Sequence, residues 1–214
     1  MTATPARLLL AVVVGLLLAA CQTSPPTLPP TESGVVIFED DFSTNTGLWT
    51  EANDAGDYAL VTQGLLIINV TTINQVVLSL TNFTLQNFDM RVRATQMAGP
   101  NDNGYGVIFG YTGPDSLYRF DIAGDGYWGV SRYQSGAWQP IVVLTQHSAI
   151  SPGAATNDLR IVSDAGTVWF YCNEQLLGNA LLNVPEGRVG VFASTFDAPD
   201  VQVAFDNVIV TAVR

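Results

Sequence analysis

The sequence contains no lysine, one histidine and only two cysteines among its 214 residues. Its eight arginines are opposed by 19 acidic residues, which leaves a formal charge of −11 at pH 7. An acidic surface repels phosphate backbones and anionic lipid headgroups, so nucleic-acid binding is not expected. The two cysteines lie in unrelated contexts, an apolar leader and a strand, so a disulfide framework is not expected either.

The lone histidine and the strand cysteine have simple interpretations. His147 lies in a loop with no cysteine or second histidine at metal-ligand spacing, so neither a zinc site nor a catalytic triad is expected there. Cys172 alternates in register with Val168 and Phe170, which indicates a small buried hydrophobe. A reactive thiol is the alternative for Cys172.

The first 20 residues have the features of a secretory signal peptide. A single positive charge at Arg7 precedes thirteen apolar residues, 8–20, which end in small side chains. Thirteen residues fall short of the roughly 20 that span a bilayer, so the run should be cleaved. Residues 21–34 then follow with four prolines and little apolar content, and this composition predicts an extended tether.

Residues 18–21, Leu-Ala-Ala-Cys, resemble the lipobox of bacterial lipoproteins. The resemblance implies that Cys21 is lipidated and becomes the first residue of the mature chain. Two or three acyl chains give stable anchoring, so the membrane contact would be the N-terminal lipid and the domain would lie outside the cytoplasm. An ordinary secreted protein cut after Ala20 is the alternative.

The stretch of residues 104–138 has the highest density of aromatic residues and glycines in the chain. It holds five of the seven tyrosines, two of the four tryptophans and eight of the 19 glycines. Aromatic residues that alternate with other types, broken by Gly, Asp and Ser clusters about every eight residues, are typical of antiparallel strands joined by tight turns. This meander predicts a rigid sheet with one face available for binding.

The rest of residues 35–214 follows the same pattern. About a dozen short strands recur every eight to twelve residues, with no helix pattern and no propeller repeat. In residues 88–97, Met90, Val92 and Ala94 alternate with polar residues, so one face should be core and the other solvated. The pattern predicts one all-β domain, an antiparallel sandwich, over residues 35–214.

Three segments make the fold more specific: FEDDFSTNTGLW near the start, GYGVIFGY with YRFDIAGDGYWGVSRYQSGAW in the middle, and GRVGVFASTF with VAFDNVIV at the end. They resemble the concanavalin A-like lectin and glucanase superfamily, with closest similarity to laminin-G-like and DUF1080-type jelly rolls. The resemblance implies a two-sheet antiparallel jelly roll with adjacent first and last strands. Because such sandwiches serve as lectins, hydrolases and interaction modules, it does not decide the function.

The resemblance also implies a structural calcium ion on the convex side. The matching positions are Glu39 and Asp41 in the first strand and Asp206 in the last. Carboxylates and nearby carbonyls are the hard oxygen ligands that calcium takes. The alternative is that these acids cap strands, accept backbone N–H bonds or face water.

A ligand-binding face is predicted from strand alternation. If Val107, Phe109, Tyr118, Phe120 and Val130 point into the core, the neighbouring side chains point outward. Tyrosine rings stack on sugars, and arginine–aspartate pairs bind hydroxyl groups. Cross-strand stabilisation is the alternative. The predicted ligand-binding residues are Arg91, Arg93, Arg119, Asp121, Tyr127, Ser131 and Tyr133.

Catalysis is not expected from the sequence. Glucanases of the superfamily carry an ExDxxE-type acid cluster on one strand, and this chain has none. Asp121 and Asp125 lie on opposite sides of a turn at Gly124, where acids more often serve turn geometry. The function expected is a non-catalytic, carbohydrate-binding lipoprotein module. A protein-interaction module for cell-envelope or extracellular proteins and a hydrolase with an atypical site are the alternatives.

Overall fold

The computed structural model describes residues 34–213, so the predicted signal peptide, Cys21 and most of the tether lie outside the described residues. The described chain contains fifteen strands and no helix, hence no helix able to cross a membrane. The strands are β1 (Val36–Asp40), β2 (Ala52–Asp54), β3 (Asp57–Thr62), β4 (Leu65–Val70), β5 (Val76–Leu85), β6 (Phe88–Ala98), β7 (Gly104–Gly113), β8 (Ser116–Ala123), β9 (Tyr127–Gln134), β10 (Ala137–Gln146), β11 (Thr156–Asp164), β12 (Thr167–Cys172), β13 (Gln175–Leu181), β14 (Gly187–Ser194) and β15 (Val201–Thr211).

The strands form two antiparallel sheets. The nine-stranded sheet has the order β13-β12-β11-β6-β15-β4-β3-β2, and β1 pairs with β15 beside β4. The C-terminal half of β15 pairs with β1, from Val36↔Thr211 to Asp40↔Val208. The first and last strands are therefore adjacent, as the resemblance implies.

The six-stranded sheet has the order β10-β9-β8-β7-β14-β5. Four consecutive strands, β7 to β10, form the meander predicted for residues 104–138, and β14 and β5 extend it on the β7 side. The chain crosses between the sheets at β5, β6, β7, β11, β14 and β15, which gives the jelly-roll connectivity and confirms the predicted fold class.

One continuous apolar core fills the space between the sheets. Phe109, Phe120, Trp128 and Phe170 meet at its centre with ring centroids 5.2 to 6.3 Å apart. Side-chain alternation explains this convergence, because every second residue of each strand points inward. The five residues predicted to face the core all belong to this cluster: Val107, Phe109, Tyr118, Phe120 and Val130.

Cys172 lies in the same core and is fully buried. Burial, and secondarily the charge of Asp158, raises the pKa of the Cys172 thiol to about 12. The interpretation of Cys172 as a small hydrophobe is therefore confirmed, since a thiol that stays protonated and inaccessible is a poor nucleophile.

Candidate functional site

The outer face of the six-stranded sheet carries a groove of about 560 Å³. Alternation along β8 positions its floor: Tyr118 and Phe120 enter the core, whereas Arg119 and Asp121 point to the other face. The neighbouring β9 contributes Ser131, which pairs in register with Arg119. The groove is lined by Asp102, Gly104, Arg119, Asp121, Ile122, Ala123, Asp125, Tyr127, Gly129, Val130, Ser131, Trp138, Pro140, Val142, Val143, Leu144 and Phe196.

Arg119 connects the polar floor to an aromatic wall. Its Nε lies 3.1 Å from Oδ2 of Asp121 and donates a hydrogen bond of 2.9 Å to Oγ of Ser131. Its guanidinium carbon lies 4.1 Å from the ring centroid of Trp138, a cation–π contact. These contacts hold the guanidinium in one place, so Arg119 can present a preorganised donor to a ligand.

Asp121 is the most perturbed carboxylate in the groove. Its side chain is 9% exposed, and its buried Oδ1 has no hydrogen-bond partner in the described part of the chain. Burial raises the pKa of Asp121 to about 6, and Arg119 opposes that rise only in part. A buried acceptor without a donor marks a place where a ligand group can bind.

Aromatic side chains form the accessible walls. Tyr127, Trp138 and Phe196 are 37% to 39% exposed although all three are large and apolar. The rings of Tyr133 and Trp138 lie with centroids 5.0 Å apart, so Tyr133 supports the tryptophan from β9. Exposed rings beside a polar floor suit ligands with both apolar faces and hydroxyl groups.

Glycines keep the floor shallow and the strands close. Gly106 has φ of 155°, and a side chain there would collide with the backbone oxygen of Phe120 on the next strand. A Cβ on Gly129 would lie 3.1 Å from Cδ2 of Leu144, on the wall of the groove. Larger residues at either position would disturb the sheet or fill the groove.

The structure brings five of the seven predicted ligand-binding residues together. Arg119, Asp121, Tyr127 and Ser131 line the groove, and Tyr133 packs against its wall. Their role in binding stays a prediction.

Arg91 and Arg93 do not share this face, and their grouping with the other five residues is corrected. Both lie on β6, which belongs to the nine-stranded sheet, and they border a separate cavity with Arg160 and Asp158. Nε of Arg93 pairs with Asp158 at 3.4 Å. Alternation correctly predicted that both arginines point outward. It did not predict which of the two sheets contains β6.

Of the predicted calcium ligands, Glu39 and Asp41 line one cavity at the β1–β15 pair, where Glu39 pairs with Ile209, and Asn207 also borders this cavity. Asp206 accepts hydrogen bonds from the backbone and side-chain nitrogens of Asn207. Among residues 34–213, no cluster of three or more His, Cys, Asp or Glu side chains has metal-site geometry. Calcium binding stays a prediction.

Asp40, between two of the predicted ligands, has a structural role. Its carboxylate accepts hydrogen bonds from Nε1 of Trp49, the backbone nitrogen of Phe42 and Oγ1 of Thr46. These bonds close the turn after β1 and fix a core tryptophan. Asp40, which is buried, thus behaves as the alternative to calcium binding describes: it accepts hydrogen bonds within the protein.

Several groove residues were missed by sequence reasoning. Trp138 is the last residue of the aromatic stretch, and its position at the start of β10 was the available signal. Asp102 and Phe196 come from loops that lie far apart in the chain, before β7 and after β14. Nothing in their local sequence indicates that they meet.

This protein resembles known proteins in fold but not in sequence. No family model and no curated protein matches the sequence. The carbohydrate-binding module CBM66 from Bacillus subtilis is 15% identical, with a TM-score of 0.62 over 77% of this chain and 96% of the module.

Two glycan-related structures match over a larger share of the chain. A beta-glucanase from Bacillus licheniformis is 14% identical, with a TM-score of 0.62 over 84% of this chain and 99% of its own. LamA from Z. galactanivorans, solved in complex with laminaritriose and laminaritetraose, is 11% identical, with a TM-score of 0.60 over 84% and 100%. Together with the strand order, these likenesses show that residues 34–213 adopt the concanavalin A-like jelly-roll fold.

Proposed function

We propose that the groove on the six-stranded sheet binds a carbohydrate and that the protein is a non-catalytic binding module. The observation that carries the proposal is that exposed Trp138 and Tyr127 lie in one groove with the ion pair of half-buried Arg119 and buried Asp121. Sugars offer an apolar C–H face to aromatic rings and hydroxyl groups to such an ion pair. The solved structures of similar fold include a carbohydrate-binding module and a complex with laminari-oligosaccharides, which supports this ligand class.

A glycan array followed by calorimetry tests the proposal. Trp138→Ala and Tyr127→Ala should each weaken binding about tenfold or more, because a lost stacking contact worth about 1.4 kcal/mol has that effect. Tyr58→Ala is the matched control, since Tyr58 lies on β3 of the other sheet and contacts Gln202. Equal affinities of the wild type and both groove variants would refute the assignment.

A glycoside hydrolase is the second candidate, and the raised pKa of Asp121 favours it. A general acid works near neutral pH when burial raises its pKa, and Asp121 with a pKa of about 6 meets that condition. Hydrolysis needs a second carboxylate, for which the groove offers Asp102 or Asp125. Release of reducing ends that is abolished in Asp121→Asn would establish the hydrolase in place of the binding module.

We further propose that lipidation of Cys21 holds the module at a bacterial membrane, outside the cytoplasm. The support is the apolar leader, the Leu-Ala-Ala-Cys segment and the proline-rich stretch that follows. Cys21→Ser should move the protein from the detergent phase to the aqueous phase in Triton X-114 partitioning. An unchanged distribution would contradict the anchor.

A further inference from the structure

The groove is negatively charged at neutral pH. Three carboxylates line it, those of Asp102, Asp121 and Asp125, whereas Arg119 is the single cationic side chain among its described lining residues. The charge of Arg119 is balanced by Asp121 at 3.1 Å. A ligand that enters therefore meets the uncompensated charges of Asp102 and Asp125, both of which are exposed. Like charges in the ligand are repelled and opposite charges are attracted.

These acids do not form a metal site. Within residues 34–213, no three His, Cys, Asp or Glu side chains come together as a metal ion requires. Asp125 is partly engaged, since its Oδ1 accepts a hydrogen bond of 3.2 Å from the backbone nitrogen of Tyr127. The carboxylates are thus available to separate points of an extended ligand rather than to one ion.

The buried oxygen of Asp121 gives the groove a specific point of recognition. Oδ1 has no partner among the described residues although the atom itself is buried, and it lies beside Gly104, where a Cβ would be 3.6 Å from Oδ1. An unsatisfied buried acceptor costs about 1–3 kcal/mol, which a ligand donor can recover. A positively charged donor recovers more than a hydroxyl group, because charge-assisted hydrogen bonds are roughly twice as strong as neutral ones.

Building on the proposed carbohydrate site, we propose that the groove selects glycans with free amino groups, such as glucosamine oligomers, over neutral and acidic glycans. One amino group donates to the carboxylate of Asp121, and neighbouring amino groups lie near Asp102 and Asp125. Trp138 and Tyr127 contact the sugar rings. An acetylated amine carries no charge and a uronate carries the wrong one, so both bind less tightly.

Calorimetry at pH 7 and low salt tests the selectivity with three probes of equal length: a glucosamine tetramer, its N-acetylated counterpart and a galacturonate tetramer. The glucosamine tetramer should bind at least about tenfold more tightly than the other two, and the difference should shrink at high salt. Asp121→Asn and Asp125→Asn should each reduce that preference. Asp54→Asn is the control, because Asp54 is an exposed acid on β2 of the other sheet.

The outcomes separate this inference from the proposed function. Equal binding of the glucosamine and N-acetylated tetramers, or a preference unchanged in both groove variants, would overturn the amino-group selectivity and leave a carbohydrate site intact. Tighter binding of tetralysine than of the glucosamine tetramer would overturn it as well, because general acidity would then explain the data. Absence of binding by every glycan would overturn both proposals.

Discussion

Replacement of Asp121 by asparagine should stabilise the protein above pH 6 and leave its stability nearly unchanged below pH 4. Burial raises the pKa of Asp121 from 3.8 to about 6 in the folded state, despite the opposing charge of Arg119. The folded state therefore holds this proton more tightly than the unfolded state does. The resulting stabilisation is fully present below pH 3.8 and is lost as the pH rises to about 6. Asparagine resembles the protonated carboxyl group and does not titrate.

The expected magnitude follows from the shift. About two pKa units at about 1.4 kcal/mol each give a stability difference of about 3 kcal/mol between the two proteins above pH 6. A urea m-value of about 3 kcal/mol/M, at the upper end for small proteins, converts this difference into a midpoint increase of about 1 M for the variant. Below pH 4 the two midpoints should coincide.

Urea unfolding followed by tryptophan fluorescence between pH 4 and pH 8 is a suitable assay. The other carboxylates titrate in both proteins, so the difference between the two midpoints isolates Asp121. A variant that loses stability relative to the wild type as the pH rises would show that the ion pair with Arg119 outweighs burial. Parallel profiles would refute the raised pKa.

Three further predictions concern other parts of the fold. Arg160→Met should destabilise the protein by about 3 kcal/mol in urea unfolding, because Asp89, only 4% exposed, loses the bidentate partner that donates to it at 2.9 and 2.7 Å. Arg93→Met, which breaks an exposed ion pair, should cost under about 1 kcal/mol. Cys172 should react with a thiol reagent only after denaturant unfolds the core, and rapid labelling of the native protein would contradict its burial. Millimolar calcium should raise the Tm of the wild type but not of Asp206→Asn, and an unchanged wild-type Tm would remove the calcium site.

The sheets could be predicted because each strand carries its own signal. Period-two alternation and turn residues are local, so the hairpin between β11 and β12 follows from Asp164, Ala165 and Gly166 alone. Ala165 and Gly166 both have positive φ, as a tight hairpin turn requires. The core side of β8 was also predictable, since Tyr118, Phe120 and Ile122 are apolar whereas the other face carries Arg119 and Asp121. The short β2 was not predicted, because Ala52, Asn53 and Asp54 carry no strand signal.

The groove itself depends on non-local features. The register of β10 against β9 shifts twice, between Pro140 and Val142 and between Val142 and Thr145. Consecutive residues Val142, Val143 and Leu144 consequently all border the groove, which strict alternation forbids. The prediction that Arg91 and Arg93 share the face of the groove was wrong for a related reason. Strand order decides which outward face a residue shares, and strand order is set by the pairing of segments far apart in sequence.

The cost of ionising Asp121 connects stability to ligand choice. An amino group that donates to the carboxylate of Asp121 stabilises its ionised form, so binding should lower the pKa of Asp121 below its value of about 6 in the unliganded protein. At pH 5.5 the glucosamine tetramer should therefore displace part of a proton from Asp121. Calorimetry in buffers of different ionisation enthalpy counts protons released on binding. Wild type and Asp54→Asn should release the same fraction of a proton, and Asp121→Asn, titrated at higher ligand concentration, should release less. Equal release by all three proteins would show that the amino group binds elsewhere in the groove.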